Sequence, residues 1–391
     1  MKWTHKKLSQ VATILMGQSP PGSTYNETGQ GLPFFQGVKD FGARYPSERV
    51  YCTAPTRIAE EGDILFSVRA PIGSINRANQ KCAIGRGLSA IRASTPSDTA
   101  FLEFLLRSMN RAWGRYESQG AIFGNARKRD LEDLDVLWPP DDVRGRITSI
   151  LSPYDDLIEN NRRRIQLLEQ AARLLYREWF VHLRFPGHEH AKIKDGVPEG
   201  WEKVTVPEII AINPKEAVIK GFDIRYVPMS SLSESDMTIN ASDTKVRQKA
   251  TTVKFRNGDT LLARITPCLE NGKTGYINFL AEGEVACGST EFIVLRGKYV
   301  SSYFTYCLVR TYDFRENAIK SMIGSSGRQR VQISCFDEYS LGLPPKMLLQ
   351  QFDEFASRCF EQIWCLMQQN RNLEKARDLL LPRLMNGEIA V

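Results

Sequence analysis

The stretch EGDILFSVRAP at Glu61–Pro71 recurs as NGDTLLARITP at Asn257–Pro267. The Gly-Asp pair and the final proline of the two stretches match at a constant offset of 196 residues. Further along, LSAIR at Leu88–Arg92 corresponds to FIVLR at Phe292–Arg296. Because an internal duplication constrains the architecture before any single motif does, the sequence predicts two halves with the same fold.

Each half continues into a long helix. The segment LLEQAARLLYREWF at Leu167–Phe180 aligns with NLEKARDLLLPRLM at Asn372–Met385 at an offset of 205 residues. Before the helices, short apolar runs rich in Val, Ile, Phe and Tyr alternate with Gly, Pro and Asn, which is typical of strands joined by turns. Within these β-rich blocks, we expect helices at Ala100–Tyr116 and Ser301–Ala318.

Apolar residues recur every three and four positions along both long helices, a spacing that buries one helix against another with the same period. Twofold-like symmetry between the halves requires the helices to run antiparallel. One register places Asn161 opposite Asn370, although registers shifted by one heptad also match and the asparagines could instead face solvent. The residues expected at the interface of the two helices are Leu151, Ile158, Asn161, Ile165, Leu168, Leu175, Ile363, Leu366, Asn370, Leu373 and Leu380.

These patterns predict an α+β protein, in which two β-rich α/β domains are separated by a pair of long antiparallel coiled-coil helices and related by a pseudo-twofold internal repeat. The predicted boundaries are 1–140 for the first domain, 141–185 for the central helix, 186–200 for a linker, 201–345 for the second domain and 346–391 for the distal helix. About 40 helical residues make a rod of roughly 60 Å. Two globular domains on a rigid rod resemble dimeric proteins that read DNA on one face of the duplex.

The amino-acid composition argues against a membrane-spanning or disulfide-rich protein. The chain has 391 residues, of which 42% are apolar, and no run of 18 apolar residues or N-terminal signal is present. The sequence therefore predicts a soluble cytoplasmic protein. Eight cysteines without a CxxC pair argue against a zinc ribbon or a disulfide scaffold and favour reduced thiols. The net charge of +7 is compatible with a polyanionic partner.

Motifs that could indicate catalysis are incomplete. A phosphate-binding loop would need glycine five residues before Gly272-Lys273-Thr274, where the chain has Pro267. The Pro-Pro pairs read WPPD and LPPK, without the preceding Asn or Asp that an amino-methyltransferase would show. His188-Glu189-His190 has no third metal ligand nearby. We therefore expect no catalytic residue, metal or cofactor in this chain.

Arginine, lysine and glutamine in exposed loops are the side chains best suited to contact DNA phosphates and base edges. In the first domain the candidates are Gln36, Lys39, Arg69, Arg86, Arg127, Lys128 and Arg129. In the second domain they are Arg264, Lys273, Ser325, Ser326, Arg328, Gln329 and Arg330, with the serines allowing close approach of the backbone. The side chains of Arg162–Arg164 point in different directions around a helix, which favours a solvated face or a protein-docking surface.

Several segments resemble the specificity subunit of prokaryotic type I restriction-modification systems. LLYREWFVHLRFPG at Leu174–Gly187 and LEKARDLLLPRLMNGEI at Leu373–Ile389 are similar to the ends of that family's central and distal repeats. IGSSGRQRVQIS at Ile323–Ser334 resembles the usual close of a target recognition domain. The first domain closes with GAIFGNARKRDL at Gly120–Leu131 instead, so its equivalence to that segment is open.

The resemblance implies a non-catalytic DNA-recognition subunit. Two target recognition domains would each read one half of a bipartite DNA site, while the helices set the gap and dock two methyltransferase subunits. Restriction subunits would join that core, and S-adenosylmethionine, ATP and Mg would be bound by the partners. The alternatives are a protein-interaction scaffold and the recognition fragment of a single-chain restriction-modification enzyme. The start at Met1 and the family-like end at Val391 favour a separate subunit.

Overall fold

The computed structural model describes residues 3–109, 113, 125–218, 223–249 and 252–391. Contacts divide the chain into two compact units, one of Met1–Asn160 with Gln369–Val391 and the other of Asn161–Gln368. We call them unit 1 and unit 2. Unit 1 contains the first block, residues 3–140, and unit 2 contains the second block, residues 184–345. Each unit also contains part of both long helices, which the predicted domain boundaries had treated as separate.

A four-stranded antiparallel sheet with the same strand order is present in each block. Across the sheet, the strands of the first block are Ala12–Met16, Leu88–Ala93, Ile64–Ser67 and Ile75–Arg77. Those of the second block are Ile210–Ile212, Phe292–Gly297, Thr260–Ala263 and Thr274–Tyr276. The duplicated stretches of sequence therefore form corresponding strands, and the internal repeat extends to the sheet topology.

Both faces of these sheets are covered. Successive side chains of a strand point to opposite faces. In the first block Ile64 and Phe66 pack into the cluster that contains the helix Thr99–Ser108, whereas Leu65 packs with Phe35 and Ile84 of a second sheet. Because neither face meets water, the strand has a continuous apolar run rather than an alternating pattern.

The second sheet of each block mixes parallel and antiparallel strands. In the first block its order is Tyr25–Asn26, Tyr51–Cys52, Leu32–Phe35, Cys82–Ile84 and Ile58–Ala59. In the second block its order is Lys245–Arg247, Ile224–Val227, Ala286–Gly288 and Lys254–Phe255. The parallel pair is Leu32–Phe35 with Cys82–Ile84 in the first block and Ile224–Val227 with Ala286–Gly288 in the second.

The repeated Gly-Asp pair has a structural explanation. Gly62 and Gly258 adopt φ of 88° and 89°, a conformation that glycine adopts without steric cost. The following carboxylates are buried, and each accepts two hydrogen bonds from one arginine on the neighbouring strand, Asp63 from Arg92 and Asp259 from Arg296. The motif therefore closes the same turn in both blocks.

A two-stranded antiparallel pair joins the beginning and end of each block. Thr4–Lys7 pairs with Asp135–Trp138 in the first block, and Glu202–Thr205 pairs with Ser340–Leu343 in the second. A further hairpin of Ile193–Lys194 and Val197–Pro198 lies in the segment predicted as a linker, where a single turn of 3-10 helix also spans His188–His190. That segment is therefore folded, in contrast to the expectation of an irregular linker.

The segments that close the two blocks occupy equivalent places. Ala126 N donates to Val68 O at 2.9 Å, and Val331 N donates to Arg264 O at 2.9 Å. A short helix follows in each block, Lys128–Glu132 in the first and the 3-10 helix Ile333–Phe336 in the second. The sequence left open whether Gly120–Leu131 is equivalent to Ile323–Ser334. Residues 125–131 are equivalent to the closing segment of the second block, and residues 120–124 lie outside the described residues.

The helices within the blocks differ from the predicted ones. The helix predicted at Ala100–Tyr116 spans Thr99–Ser108, and most of the predicted remainder lies outside the described residues. The single helix predicted at Ser301–Ala318 is two helices, Ser302–Val309 and Tyr312–Lys320. The break has a local cause, because the Thr311 side chain accepts a hydrogen bond from Phe314 N and so begins a new helix. A further short helix is Val206–Ile209.

The first long helix spans Asp141–Tyr176 and continues into one π-helical turn at Arg177–Val181. It begins directly after Pro139-Pro140, with two acidic residues in the first turn. The second long helix spans Lys346–Met385. Among the helices of the described residues, none combines the length and apolar character needed to cross a membrane.

In unit 1 the two long helices run antiparallel. Asp155 pairs with Arg377 at 2.6 Å, and one turn further along the first helix the Asn370 side chain donates to Ile158 O at 3.2 Å. In unit 2 the Tyr176 ring lies 5.9 Å from the Phe352 ring, as expected for the same direction of pairing.

All the residues predicted for the helix interface are buried or half-buried. Asn161 and Asn370 are 3% and 7% exposed, so the alternative in which they face solvent is wrong. Their predicted pairing joins residues of different units and stays a prediction.

Candidate nucleic-acid interface

Four strands of the first block end at one place, and the loops that follow them are held together by main-chain hydrogen bonds. Gly17 N donates to Leu88 O at 2.9 Å, Gly85 N to Phe35 O at 2.8 Å and Val68 N to Gly87 O at 3.0 Å. Residues that are far apart in the sequence therefore meet at the carboxyl ends of these strands.

Glycine is required for this close approach. A Cβ atom on Gly17 would lie 2.1 Å from Gly85 O, and one on Gly87 would lie 2.2 Å from Gln36 O. Both clashes are with backbone atoms, which cannot rotate away as the end of a side chain can. A larger residue at either position would push the loops apart, so glycine is what lets these loops form one surface.

A cavity of about 360 Å³ opens where these loops meet, and we call it the arginine cavity. Three predicted DNA-contacting residues, Gln36, Arg69 and Arg86, line it, although up to 50 residues separate them in the sequence. The other polar side chains that line the cavity are Ser19, Tyr25 and Ser67. The cavity therefore combines two cationic groups with neutral donors and acceptors, as expected of a site that contacts base edges.

Buried polar groups fix the backbone of the cavity. The Asp40 carboxylate, 4% exposed, accepts from Gln36 N at 2.7 Å, and the Ser67 hydroxyl donates to Arg69 O at 2.7 Å. The Tyr25 hydroxyl donates to Pro20 O at 2.8 Å. The loops are thus held by the fold before any ligand binds.

The two arginine side chains of the cavity are exposed and unengaged. Within the described part of the chain, neither the Arg69 nor the Arg86 guanidinium makes an ion pair or a side-chain hydrogen bond. Other arginines of the block are paired, such as Arg92 with Asp63 and Arg107 with Asp155. Charged donors left without acceptors on a preformed surface favour an acceptor-rich ligand.

The remaining candidates of the first block lie outside the cavity lining. Lys39 is exposed on the 3-10 turn Val38–Asp40, next to the lining residue Val38. Arg127–Arg129 lie at the start of the helix Lys128–Glu132. Lys128 pairs with Glu132 and Arg129 with Asp133, both at 3.3 Å and exposed, so these charges are partly compensated on their own helix.

In the second block, two candidate arginines are engaged within the protein. Arg264 Nη2 donates to Val331 O at 3.0 Å, so this side chain supports the closing segment. Arg330 binds Glu291 with two nitrogens, at 2.8 Å for Nη2 and 3.0 Å for Nε. These hydrogen bonds raise the pKa of the Arg330 guanidinium above its usual value.

Other candidates of the second block are on the turn between Ile323 and Arg330, which pair with each other as an isolated bridge. Ser325, Ser326 and Arg328 are exposed there, whereas Gln329 is half-buried and its carbonyl accepts from Thr266 N at 3.1 Å. Lys273 is half-buried and lies away from this turn in the sequence. The turn therefore presents one free cation, Arg328, among the described residues.

Sequence reasoning missed several residues suited to the same role. Ser19 and Tyr25 line the arginine cavity but lie in a Pro-Gly loop without a basic motif. In the second block the edge strand Lys245–Arg247 is exposed along its length, and the Arg247 guanidinium lies over the Tyr226 ring. The alternation of basic residues in KVRQK, starting at Lys245, was a signal that could have identified this strand.

The described residues contain no group of three or more His, Cys, Asp or Glu side chains arranged to bind a metal ion. His188 Nδ1 lies 2.9 Å from Phe185 O and 3.6 Å from Glu189, which are local contacts of the 3-10 turn. All eight cysteines are free thiols. Burial raises the pKa of the Cys82 thiol to about 12, so at neutral pH this group is a protonated core side chain.

Comparison with known proteins shows which of them this chain is similar to. The family described as type I restriction modification DNA specificity domain matches residues 1–170. The chain is 24% identical over 413 residues to the type I restriction enzyme MjaIX specificity subunit of Methanocaldococcus jannaschii, and this match covers all of the chain and 94% of the relative. It is 40% identical over 158 residues to the MjaX specificity subunit of the same organism, but that match covers 40% of the chain and only 37% of the relative.

The fold has a counterpart among solved structures. The type I restriction-modification system S subunit from M. genitalium matches with a TM-score of 0.54 and 15% identity, over 98% of this chain and 96% of that one. This match and the match to the MjaIX relative both extend over nearly the full length of the two chains compared. Residues 1–170 thus match the type I restriction modification DNA specificity domain, the whole chain is similar to a type I restriction enzyme specificity subunit, and the S subunit from M. genitalium shares the fold.

Proposed function

We propose that this chain is the non-catalytic subunit that reads duplex DNA for a type I restriction-modification complex. Each block reads one half of a bipartite target, and the long helices set the gap between the halves. Two methyltransferase subunits dock on the chain, and restriction subunits join through them. S-adenosylmethionine, ATP and Mg bind to those partners, and the complex works in the cytoplasm.

The observation that carries this proposal is the arginine cavity. It gathers Gln36, Arg69 and Arg86 from three loops on a surface that hydrogen bonds and glycines hold in place. Bidentate contacts from Arg and Gln are the strongest readers of guanine and adenine in the major groove.

Binding to DNA should depend steeply on salt. Each phosphate contact releases condensed counterions, so the logarithm of the affinity should fall with the logarithm of the salt concentration, with a slope of about −0.9 per contact. Fluorescence anisotropy with a labelled duplex at rising NaCl measures this slope. A flat salt response would favour the protein-interaction scaffold instead.

Sequence reading is tested in cells. Co-expression with the neighbouring methyltransferase gene, followed by genome-wide mapping of methylated adenines, should give a split motif with a fixed gap. Absence of methylation from cells in which both subunits are present and associated would contradict the proposal. A continuous motif without a gap would contradict the role of two separate reading blocks.

A groove in unit 2 supports the docking of a methyltransferase. It encloses about 830 Å³ between the end of the first long helix and the helices Ser302–Val309 and Tyr312–Lys320. Leu167 and Leu174 line it although 64% and 48% of their surface is exposed. Arg177 and Arg315 also line the groove, which favours a partner surface with acidic residues around an apolar centre. Arg173 and Arg310 line it as well, but they are engaged by the buried Glu169.

The repeat provides a matched test of two docking sites. Leu379 occupies the position on the second long helix that Leu174 occupies on the first, and it is 72% exposed. Leu174→Glu and Leu379→Glu should each weaken the capture of one methyltransferase roughly tenfold or more, as for a central interface residue. The double variant should lose both subunits.

Native mass spectrometry of the purified complex counts the bound subunits. Leu157→Glu is the control, because Leu157 is on the same helix as Leu174, is 49% exposed and does not line the groove. A double variant that still carries two methyltransferase subunits would place the docking surface elsewhere.

A further inference from the structure

The loops that form the arginine cavity have counterparts in the second block. The bond from Val68 N to Gly87 O corresponds to the bond from Arg264 N to Glu291 O at 2.9 Å. The bond from Gly85 N to Phe35 O corresponds to the bond from Ser289 N to Val227 O at 3.2 Å. These shared main-chain hydrogen bonds establish which residues of the two blocks occupy equivalent positions.

The side chains at the equivalent positions differ in chemistry. Ile265 stands at the position of Arg69, Thr290 at that of Arg86 and Pro228 at that of Gln36. Glu291 stands at the position of Gly87, and its carboxylate binds the nearby Arg330 with two hydrogen bonds. Where the first block offers free guanidinium groups, the second offers apolar groups, a hydroxyl and an arginine that is already bound.

Guanidinium groups and apolar groups select different base edges. Guanine presents two acceptors, O6 and N7, in the major groove, which match the forked donors of arginine. Thymine presents a methyl group, which is read by apolar contact. Arg330 is engaged by Glu291, and the free Arg328 lies on the turn Ile323–Arg330 and not at a position equivalent to Arg69 or Arg86.

On the basis of the DNA-reading function proposed above, we propose that Arg69 and Arg86 read guanine in the half-site of the first block, whereas Ile265 and Thr290 direct the equivalent position of the second block to thymine. The two half-sites therefore differ in base composition because the loop junction that both blocks share carries different chemistry in each. The first half-site is defined by hydrogen bonds, and the second is defined at this position by contact with a methyl group.

The test is selection of bound duplexes from a random library by the purified complex of this chain with its methyltransferase, with sequencing of the enriched pool. The variants are Arg69→Lys and Arg86→Lys, which keep the charge but remove the forked donor. Each should reduce the preference for guanine at one position of one half-site by about 5- to 150-fold, which corresponds to the loss of one good bidentate pair. The other half-site should be unchanged.

A matched control is available in the same block. Arg57 is exposed, has no side-chain partner among the described residues and does not line the cavity. Arg57→Lys should leave every base preference unchanged. In the second block, Ile265→Ala should reduce the preference for thymine at one position while leaving the guanine preference of the first half-site intact.

The outcomes separate this inference from the proposed function. If the wild-type complex enriches no sequence, the DNA-reading function itself fails. If it enriches a split site but the two lysine variants weaken all sequences equally, the arginines contact phosphates and this inference is overturned while the function stands. Loss of preference for a base other than guanine would also overturn it.

Discussion

Replacing Asp155 with alanine should lower the stability of unit 1 by about 3–5 kcal/mol. Asp155, on the first long helix, is 5% exposed. Its carboxylate accepts from Arg107 of the first block at 2.8 Å and from Arg377 of the second long helix at 2.6 Å. Arg107 also pairs with the buried Glu103. Removing the shared carboxylate takes one partner from each of two cations that are 20% exposed, and leaves Arg107 with Glu103 and Arg377 with the exposed Asp378.

The pKa of Arg377 indicates how strongly this carboxylate acts. Burial is the largest single influence and would lower the pKa of the guanidinium, but the hydrogen bonds and charges of Asp155 and Asp378 together raise the pKa above its usual value. Arg377 therefore stays charged in a site that would be unfavourable for an isolated cation.

Differential scanning calorimetry measures the predicted loss. For a unit of this size the melting temperature should fall by roughly 6–20 °C. Asp156→Ala is the matched control, because Asp156 is the next residue, has a 66% exposed side chain and, among the described residues, pairs with Arg44. It should cost less than about 1 kcal/mol. Equal effects of the two variants would contradict the role assigned to Asp155.

The duplication made the fold predictable. Matching strands of the two blocks follow the repeated apolar runs, and the long helices follow the spacing of three and four residues, because both patterns depend on local geometry and burial. The break at Thr311 was missed, because a threonine in an apolar helical pattern is compatible with both a continuous helix and a cap, and the hydrogen bond to Phe314 N decides between them.

The candidate site was only partly predictable. The types of residue in the arginine cavity could be chosen from the sequence, since Gln36, Arg69 and Arg86 were all candidates. The sequence could not show whether an arginine side chain is free or already bound to a carboxylate. Arg330 is bound by Glu291, which lies 39 residues away, and this pairing depends on the tertiary fold.

In unit 2 a different carboxylate joins block and helix, and Glu169→Ala should lower the stability of this unit by about 3–5 kcal/mol. Glu169, on the first long helix, is 2% exposed and accepts from the Tyr306 hydroxyl at 2.6 Å and from Met237 N at 2.9 Å. Arg310 lies 3.8 Å away. Burial first, and then the Glu169 charge, raise the pKa of Tyr306 well above its usual value, so this hydroxyl remains a donor at neutral pH.

The buried carboxylate that joins the block to the first long helix has different hydrogen-bond donors in the two units. Arg107 lies in the last turn of the helix Thr99–Ser108, Arg310 directly follows the corresponding helix Ser302–Val309, and each lies beside a buried carboxylate of the first long helix. In unit 1 the carboxylate is shared between two arginines. In unit 2 a tyrosine hydroxyl and a main-chain amide take most of its hydrogen-bonding capacity. Arg173 and Arg310 lie farther from this carboxylate, at 3.4 and 3.8 Å, so a larger share of the attraction in unit 2 comes from neutral donors.

This difference predicts different outcomes for amide variants. Glu169→Gln keeps an acceptor oxygen for Tyr306 or Met237 N, so it should recover roughly half of the loss seen in Glu169→Ala. Asp155→Asn loses the charge that two arginines require and should recover less. Glu361→Ala, an exposed position on the second long helix, is the control for unit 2 and should change stability by less than about 0.5 kcal/mol. Calorimetry ranks the four carboxylate variants by their loss of stability. If both amide variants recover the same fraction of the stability lost in the alanine variants, charge pairing matters as much in unit 2 as in unit 1.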